Sequence, residues 1–122
     1  MKPINLVVYQ SDPRTAQALV ASLSQHFGSV IVANRYEEVR ASIARNHANV
    51  LVLDMEFNLD EIGRLHREFP SLCIVGTHRL ADEQLWAEAL NQGAADLCAP
   101  HNDDVVRSVL HECAHHAGAA AA

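Results

Sequence analysis

The sequence predicts a doubly wound α/β domain, a parallel sheet with helices on both faces. Three observations predict it. Apolar runs of strand length recur five times, each is followed by a segment with apolar residues every three or four positions, and polar residues stand where the runs end. Strands that are apolar throughout have no wet side, so they need a sheet covered on both faces.

The first run, Ile4 to Tyr9, stops at Gln10-Ser11-Asp12-Pro13, a helix start in which Asp12 caps and Pro13 takes the first helical position. Behind it Ala16, Leu19, Val20, Leu23 and Phe27 form one apolar stripe that ends at Gly28. Val30 to Ala33 is a second strand, Tyr36, Val39 and Ile43 mark a second helix, and Val50 to Leu53 is a third strand ending at Asp54. A helix from about Leu59 to Phe69, a strand at Leu72 to Val75 and a helix from about Asp82 to Gln92 follow. A strand at Ala95 to Cys98 and a helix from about Asn102 to His116 complete the pattern.

A length of 122 residues, 49% of them hydrophobic, provides one core and leaves no room for a second domain. The expected division is a single domain over residues 1–116 and an Ala/Gly tail over 117–122 with nothing to pack against. Nine basic residues against fifteen acidic ones give a net charge of −6, the wrong sign to attract a phosphate backbone, so direct nucleic-acid binding is not expected. No apolar run approaches the roughly 20 residues of a membrane span, and the N-terminus enters a strand without a signal-peptide pattern; the expected location is the cytoplasm, with no membrane partner. Cys73, Cys98 and Cys113 each sit among apolar residues and are expected to be reduced core residues.

In open sheets of this kind ligands sit beyond the carboxyl ends of the strands, here around Gln10 to Asp12, Asp54, Thr77 and Ala99-Pro100. Three of these ends carry anchors: Val-Leu-Asp54 closing the third strand, Val-Gly-Thr77 closing the fourth, and Gly93-Ala94-Ala95-Asp96 leading into the fifth. With the element order, these anchors make the chain resemble the receiver domains of bacterial response regulators over nearly its whole length. The resemblance implies a flavodoxin-like, three-layer α/β/α architecture with a five-stranded parallel sheet in the order 2-1-3-4-5. It also implies a two-component signalling role, with Asp54 as candidate phosphoacceptor and Thr77 and Leu97 at the switch positions.

Several positions depart from the family pattern. The two adjacent acids that hold magnesium correspond here to Gln10 and Ser11, an amide and a hydroxyl. Magnesium is a hard cation that prefers carboxylate oxygens, so most of the charge that would hold it is gone. Asp12 makes up for that only if its side chain turns inward, which leaves Asp12 and Asp54 as weak metal candidates. The lysine before the proline after the fifth strand is replaced by Ala99, ahead of Pro100. The small residue after the switch hydroxyl is replaced by His78, the aromatic switch position by Leu97, and the loop after Asp54 reads Met55-Glu56-Phe57-Asn58, one residue short. Phosphoryl transfer depends on positioning and on cations that neutralise developing charge, so Asp54 is expected to be a poor acceptor. Glu56 and Arg79, each two residues beyond a strand-end residue of the pocket, are candidates for an ion pair across its mouth, together with His78 there.

His111-Glu112-Cys113-Ala114-His115 matches the short pattern of zinc metalloproteases. The stripe Val106, Val109, Leu110 and Cys113 would bury the opposite helix face and leave both histidines in water, with no third ligand and no cleft, so the match reads as a solvated helix end. Trp86, beside Leu85, Ala89 and Leu90, reads by default as core and otherwise as part of a docking patch. No Gly-x-Gly-x-x-Gly follows the first strand and no Gly-Lys-Ser/Thr loop is present, which disfavours a nucleotide enzyme.

The expected function is therefore an atypical receiver, a pseudo-receiver with no catalytic residues, that signals by protein contacts. Its expected partner is a histidine kinase, an output domain or another signalling protein, and the fourth helix, fifth strand and fifth helix form a candidate homodimer face. No cofactor is expected, magnesium entering only if phosphorylation is retained. The alternative is a working magnesium-dependent phosphoacceptor, phosphorylated on Asp54 by a histidine kinase. A third reading is a flavodoxin-like domain that binds a small ligand at the switch crevice.

Overall fold

The computed structural model describes residues 4–56 and 59–114. Strands β1 (Asn5–Tyr9), β2 (Ser29–Val32), β3 (Val50–Asp54), β4 (Cys73–Thr77) and β5 (Asp96–Cys98) alternate with helices α1 (Pro13–His26), α2 (Val39–Asn46), α3 (Asp60–Glu68), α4 (Glu83–Gln92) and α5 (Asn102–Ser108). A 3₁₀ turn, Tyr36–Glu38, leads into α2, and a π-helical segment, Val109–Ala114, continues α5. The strands form one parallel sheet in the order β2-β1-β3-β4-β5, the flavodoxin-like arrangement.

Side-chain alternation along the strands divides the core in two. Val7, Leu51, Leu53, Ile74 and Leu97 face α2, α3 and α4, where they meet Val39, Ile43, Ile62, Leu65 and Ala89. Leu6, Val8, Val50, Val52 and Val75 face the other way, onto Leu19 and Leu23 of α1 and Val105, Val106 and Val109 at the C-terminal end. The central strands β3 and β4 are buried at every residue, as continuous apolar runs require. The edge strand β2 is half-buried throughout, a departure from the expectation of strands with no wet side, because an edge strand has a neighbour on one flank only. Each fully buried leucine contributes about 1.5–3 kcal/mol, so the two cores hold the layers together and fix the strand ends between them.

The helix ends follow local chemistry. The Asp12 carboxylate accepts the Arg14 backbone N–H at 3.1 Å and the Thr15 hydroxyl at 2.9 Å, with Pro13 at the first helical position. The first helix stops at His26, before the expected glycine, with Phe27 extended at its cap. Asp82 caps α4 by accepting the Leu85 N–H at 2.8 Å, and Gly93 ends that helix at φ 118°, a conformation that suits glycine. A Cβ at Gly93 would also stand 2.7 Å from the His66 ring.

Three expectations are corrected. Cys73 and Cys113 form a disulfide rather than remaining reduced, because the topology brings the start of β4 beneath the end of the fifth helix; Cys98 alone is a free thiol. The last helix is not α-helical to its end: from Val109 it adopts π geometry, and Leu110 leaves the apolar stripe and is 46% exposed. Trp86 is not core but 44% exposed on α4. His111 is exposed, as a solvated helix end requires, while His115, His116 and the 117–122 tail lie outside the described residues. Among the described residues no helix is long and apolar enough to cross a membrane.

Candidate functional site

The carboxyl ends of β1, β3 and β4 converge on a cleft of about 380 Å³, with Gln10, Ser11 and Asp12 along one side and Thr77, His78 and Arg79 along the other. Asp54 lies between them, 5% exposed. Parallel register sets this placement: Tyr9 of β1 pairs with Leu53, and Asp54 pairs with Thr77. The loop after β1 therefore hangs directly over the end of β3.

Each oxygen of Asp54 is engaged within the chain. Oδ2 accepts the Ser11 backbone N–H at 2.9 Å and the Ser11 hydroxyl at 2.5 Å, and Oδ1 accepts the Glu56 N–H at 2.9 Å. Beside it the Gln10 side-chain amide donates to Thr77 Oγ1 at 2.9 Å, while the amide oxygen lies 3.2 Å from the same hydroxyl. Gln10 and Thr77 are both buried, and among the described residues no buried side-chain polar atom lacks a partner. A buried pair satisfied on both sides resists rearrangement, because breaking it strands polar groups away from water.

At the mouth, Arg79 Nε lies 3.1 Å from Glu56 Oε1, and the cleft persists behind this pair. The hydrogen bond to Glu56, then its charge, raises the Arg79 pKa further, so the guanidinium stays charged. Arg79 is 78% exposed, so the pair adds little stability. The His78 ring turns back on its own loop, Nδ1 accepting the Leu80 N–H at 2.9 Å. Pro100 also borders the cleft, whereas Leu97 packs in the core beside Gly76 and Met55. Phe57 and Asn58 lie outside the described residues.

Magnesium does not fit these residues. The three carboxylates on the cleft are all committed: Asp12 to capping α1, Asp54 to Ser11 and Glu56, and Glu56 to Arg79. Gln10 and Ser11 supply no charge, and among the described residues no group of three His, Cys, Asp or Glu side chains could hold a metal ion. Nor can another lysine take the place of the one missing at Ala99, since Lys2 is the only lysine in the sequence.

Two features escaped the sequence reading. Tyr9, at the end of β1, packs edge-on against Tyr36 with ring centroids 5.9 Å apart, and the Tyr36 hydroxyl donates to Glu61 on α3. Burial first, then the charge of Asp54, raises the Tyr9 pKa; burial and Glu61 raise that of Tyr36. An aromatic contact thus joins the end of β1 to the turn before α2 beside the cleft, signalled only by tyrosines near a strand end and a helix start. On the opposite edge Asp96 joins three elements, accepting the Trp86 indole N–H at 3.1 Å and the Ser108 hydroxyl at 2.6 Å. That carboxylate holds α4, β5 and α5 as one surface, with the Trp86 ring half-exposed on it.

Sheet order, helix placement and the strand-end cleft define a receiver-type fold of the flavodoxin-like class. Solved structures of the same fold include the N-terminal signal receiver domain of a two-component response regulator from Bacteroides fragilis, at TM-score 0.82 and 20% identity over 92% of this chain and 98% of that one. A response regulator from Thermotoga maritima matches at TM-score 0.80 and 21% identity, covering 92% of this chain and 98% of that one. A CheY-like protein, TadZ, from Pseudomonas aeruginosa matches at TM-score 0.71 and 24% identity, covering 88% and 97%. At these identities the likeness is one of fold. No protein-family model matches the chain, and no curated protein matches its sequence.

Proposed function

We propose that this chain is a signalling domain of the receiver type that works by docking to a protein partner, with the strand-end site held in a single state without phosphorylation. The observation that carries this reading is the internal engagement of Asp54: one oxygen takes both Ser11 donors and the other takes the Glu56 N–H. An incoming phosphorus would have to displace the Ser11 clamp with no metal ligands and no lysine to stabilise the charge that develops. The Gln10–Thr77 pair holds the switch hydroxyl in place at the same time.

The docking face is the α4-β5-α5 surface, where Asp96 accepts from both the half-exposed Trp86 and Ser108. Half-exposed aromatic residues on rigid surfaces lose little entropy when covered, which suits a contact with another signalling protein or a second copy of this chain. The acidic balance disfavours nucleic acid as that partner.

The test is an NMR titration of the ¹⁵N-labelled chain with magnesium and beryllofluoride. The reading expects the Ser11, Asp54 and Glu56 amides to stay in place at physiological magnesium. Saturable shifts of those amides, carried on to Thr77, would establish the phosphoacceptor alternative instead.

A further inference from the structure

Cys73 opens β4 and Cys113 lies in the π-helical segment, 40 positions apart in sequence with Cα atoms at 5.6 Å. Both are almost fully buried on the α1/α5 side of the sheet. Within Val109–Ala114, Leu110, His111 and Glu112 face solvent, while Val109 and Cys113 face the core. Past Val109, the bond to Cys73 is therefore the main attachment of this segment to the sheet. β4 itself does not depend on it, being paired with β3 from Val50↔Cys73 to Asp54↔Thr77 and with β5 on its other side.

The third cysteine does not compete. Cys98 is half-buried on β5, and that burial, followed by the charges of Asp96 and Asp104, pushes its pKa up to about 12. It stays a thiol at neutral pH, and its pairing with Thr77 sets it at the opposite end of β4 from Cys73, away from the disulfide. Exchange must then begin with an external thiol. In reducing compartments, cysteine pairs that do join are chiefly those that cycle.

We propose that Cys73–Cys113 is a reversible redox latch: oxidised, it clamps the end of the fifth helix onto β4, and reduction by a dithiol frees that segment while the sheet stays folded. When the segment opens transiently and exposes the bond, a dithiol thiolate forms a bond to one cysteine sulfur, and the other cysteine leaves as a thiolate and is protonated. The dithiol's second thiolate then attacks its first sulfur in this mixed disulfide and expels the remaining cysteine as a thiolate, which is protonated, so the dithiol is oxidised to its cyclic disulfide and both cysteines become thiols. The latch stands apart from the docking reading, since it concerns the chain's own covalent state and needs no partner.

The test uses the full chain, purified in air, with dithiothreitol as the reductant. Thiol counting by alkylation and peptide mapping should find Cys98 free and Cys73 joined to Cys113, then all three free after reduction. Amide hydrogen exchange should rise within residues 109–114 by roughly tenfold or more beyond the rise that lower global stability brings to β1 and β3, and should fall again on reoxidation. A Cys98→Ser variant should keep this response, and Cys73→Ser should show the released pattern in either condition. Three free thiols in the air-purified protein, or identical exchange in the two redox states, would overturn the proposal. So would a rise in β1 and β3 equal to that in residues 109–114, which would make the bond a staple for the whole fold with no local release; the Cys98→Ser measurement decides this even if Cys73→Ser fails to fold.

Discussion

Ser11 gives both its backbone N–H and its hydroxyl to one oxygen of Asp54, at 2.9 and 2.5 Å. A serine in the loop after β1 thereby fills one oxygen of the carboxylate that ends β3, while the Glu56 N–H takes the other. The residue that reads in sequence as a missing metal ligand is, in the fold, the partner that satisfies Asp54.

Replacing Ser11 with alanine removes the hydroxyl donor and leaves a buried carboxylate with fewer partners. Stability in urea denaturation should fall by roughly 1–3 kcal/mol, the usual cost of an unsatisfied buried group. A change near zero would mean that water replaces the hydroxyl without penalty.

Restoring carboxylates at both lost positions, Gln10→Asp with Ser11→Asp, should release the clamp on Asp54 and bring three acids together. Magnesium affinity should appear at a roughly millimolar dissociation constant, read by calorimetry or NMR, at some cost in stability in its absence. The unsubstituted chain should show no such binding.

Alkali should weaken the fold through Cys98. Its ordinary pKa of 9.0 is raised to about 12 in the folded state, so the folded protein holds this proton more tightly than the unfolded chain. Its contribution is complete below pH 9 and declines as pH rises toward 12. Iodoacetamide labelling of folded protein at mildly alkaline pH should run on the order of a hundredfold or more slower than in urea, since the thiolate is the reacting form.

Closing a loop of this length should raise stability by about 4 kcal/mol in the chain-entropy picture. Denaturation with and without reductant should differ by that order, within the roughly 5–15 kcal/mol margin typical of a domain. A larger loss would mean that the bond organises the core rather than securing its edge.

The strand ends were legible because apolar runs that stop at Gln10, Asp54 and Thr77 fix where the sheet opens. Asp12 followed by Pro13 gave the start of α1 for the same local reason. What sequence could not show depends on distant neighbours. Cys73 and Cys113 are brought together by topology, Trp86 finds its hydrogen-bond partner Asp96 on a different element, and the π geometry from Val109 has no local signature. The clamp on Asp54 was hidden for the same reason: Ser11 and Gln10 were identified by the charge they lack, and the bonds they donate appear only once β1, β3 and β4 are in register.

The most direct test of a quiet Asp54 is intact-mass spectrometry of the chain after incubation with acetyl phosphate and magnesium, with tryptic mapping of any modified peptide. The unmodified mass should persist as essentially the sole species. A phosphoryl adduct approaching one per chain, mapped to Asp54 and labile to hydroxylamine, would contradict the account.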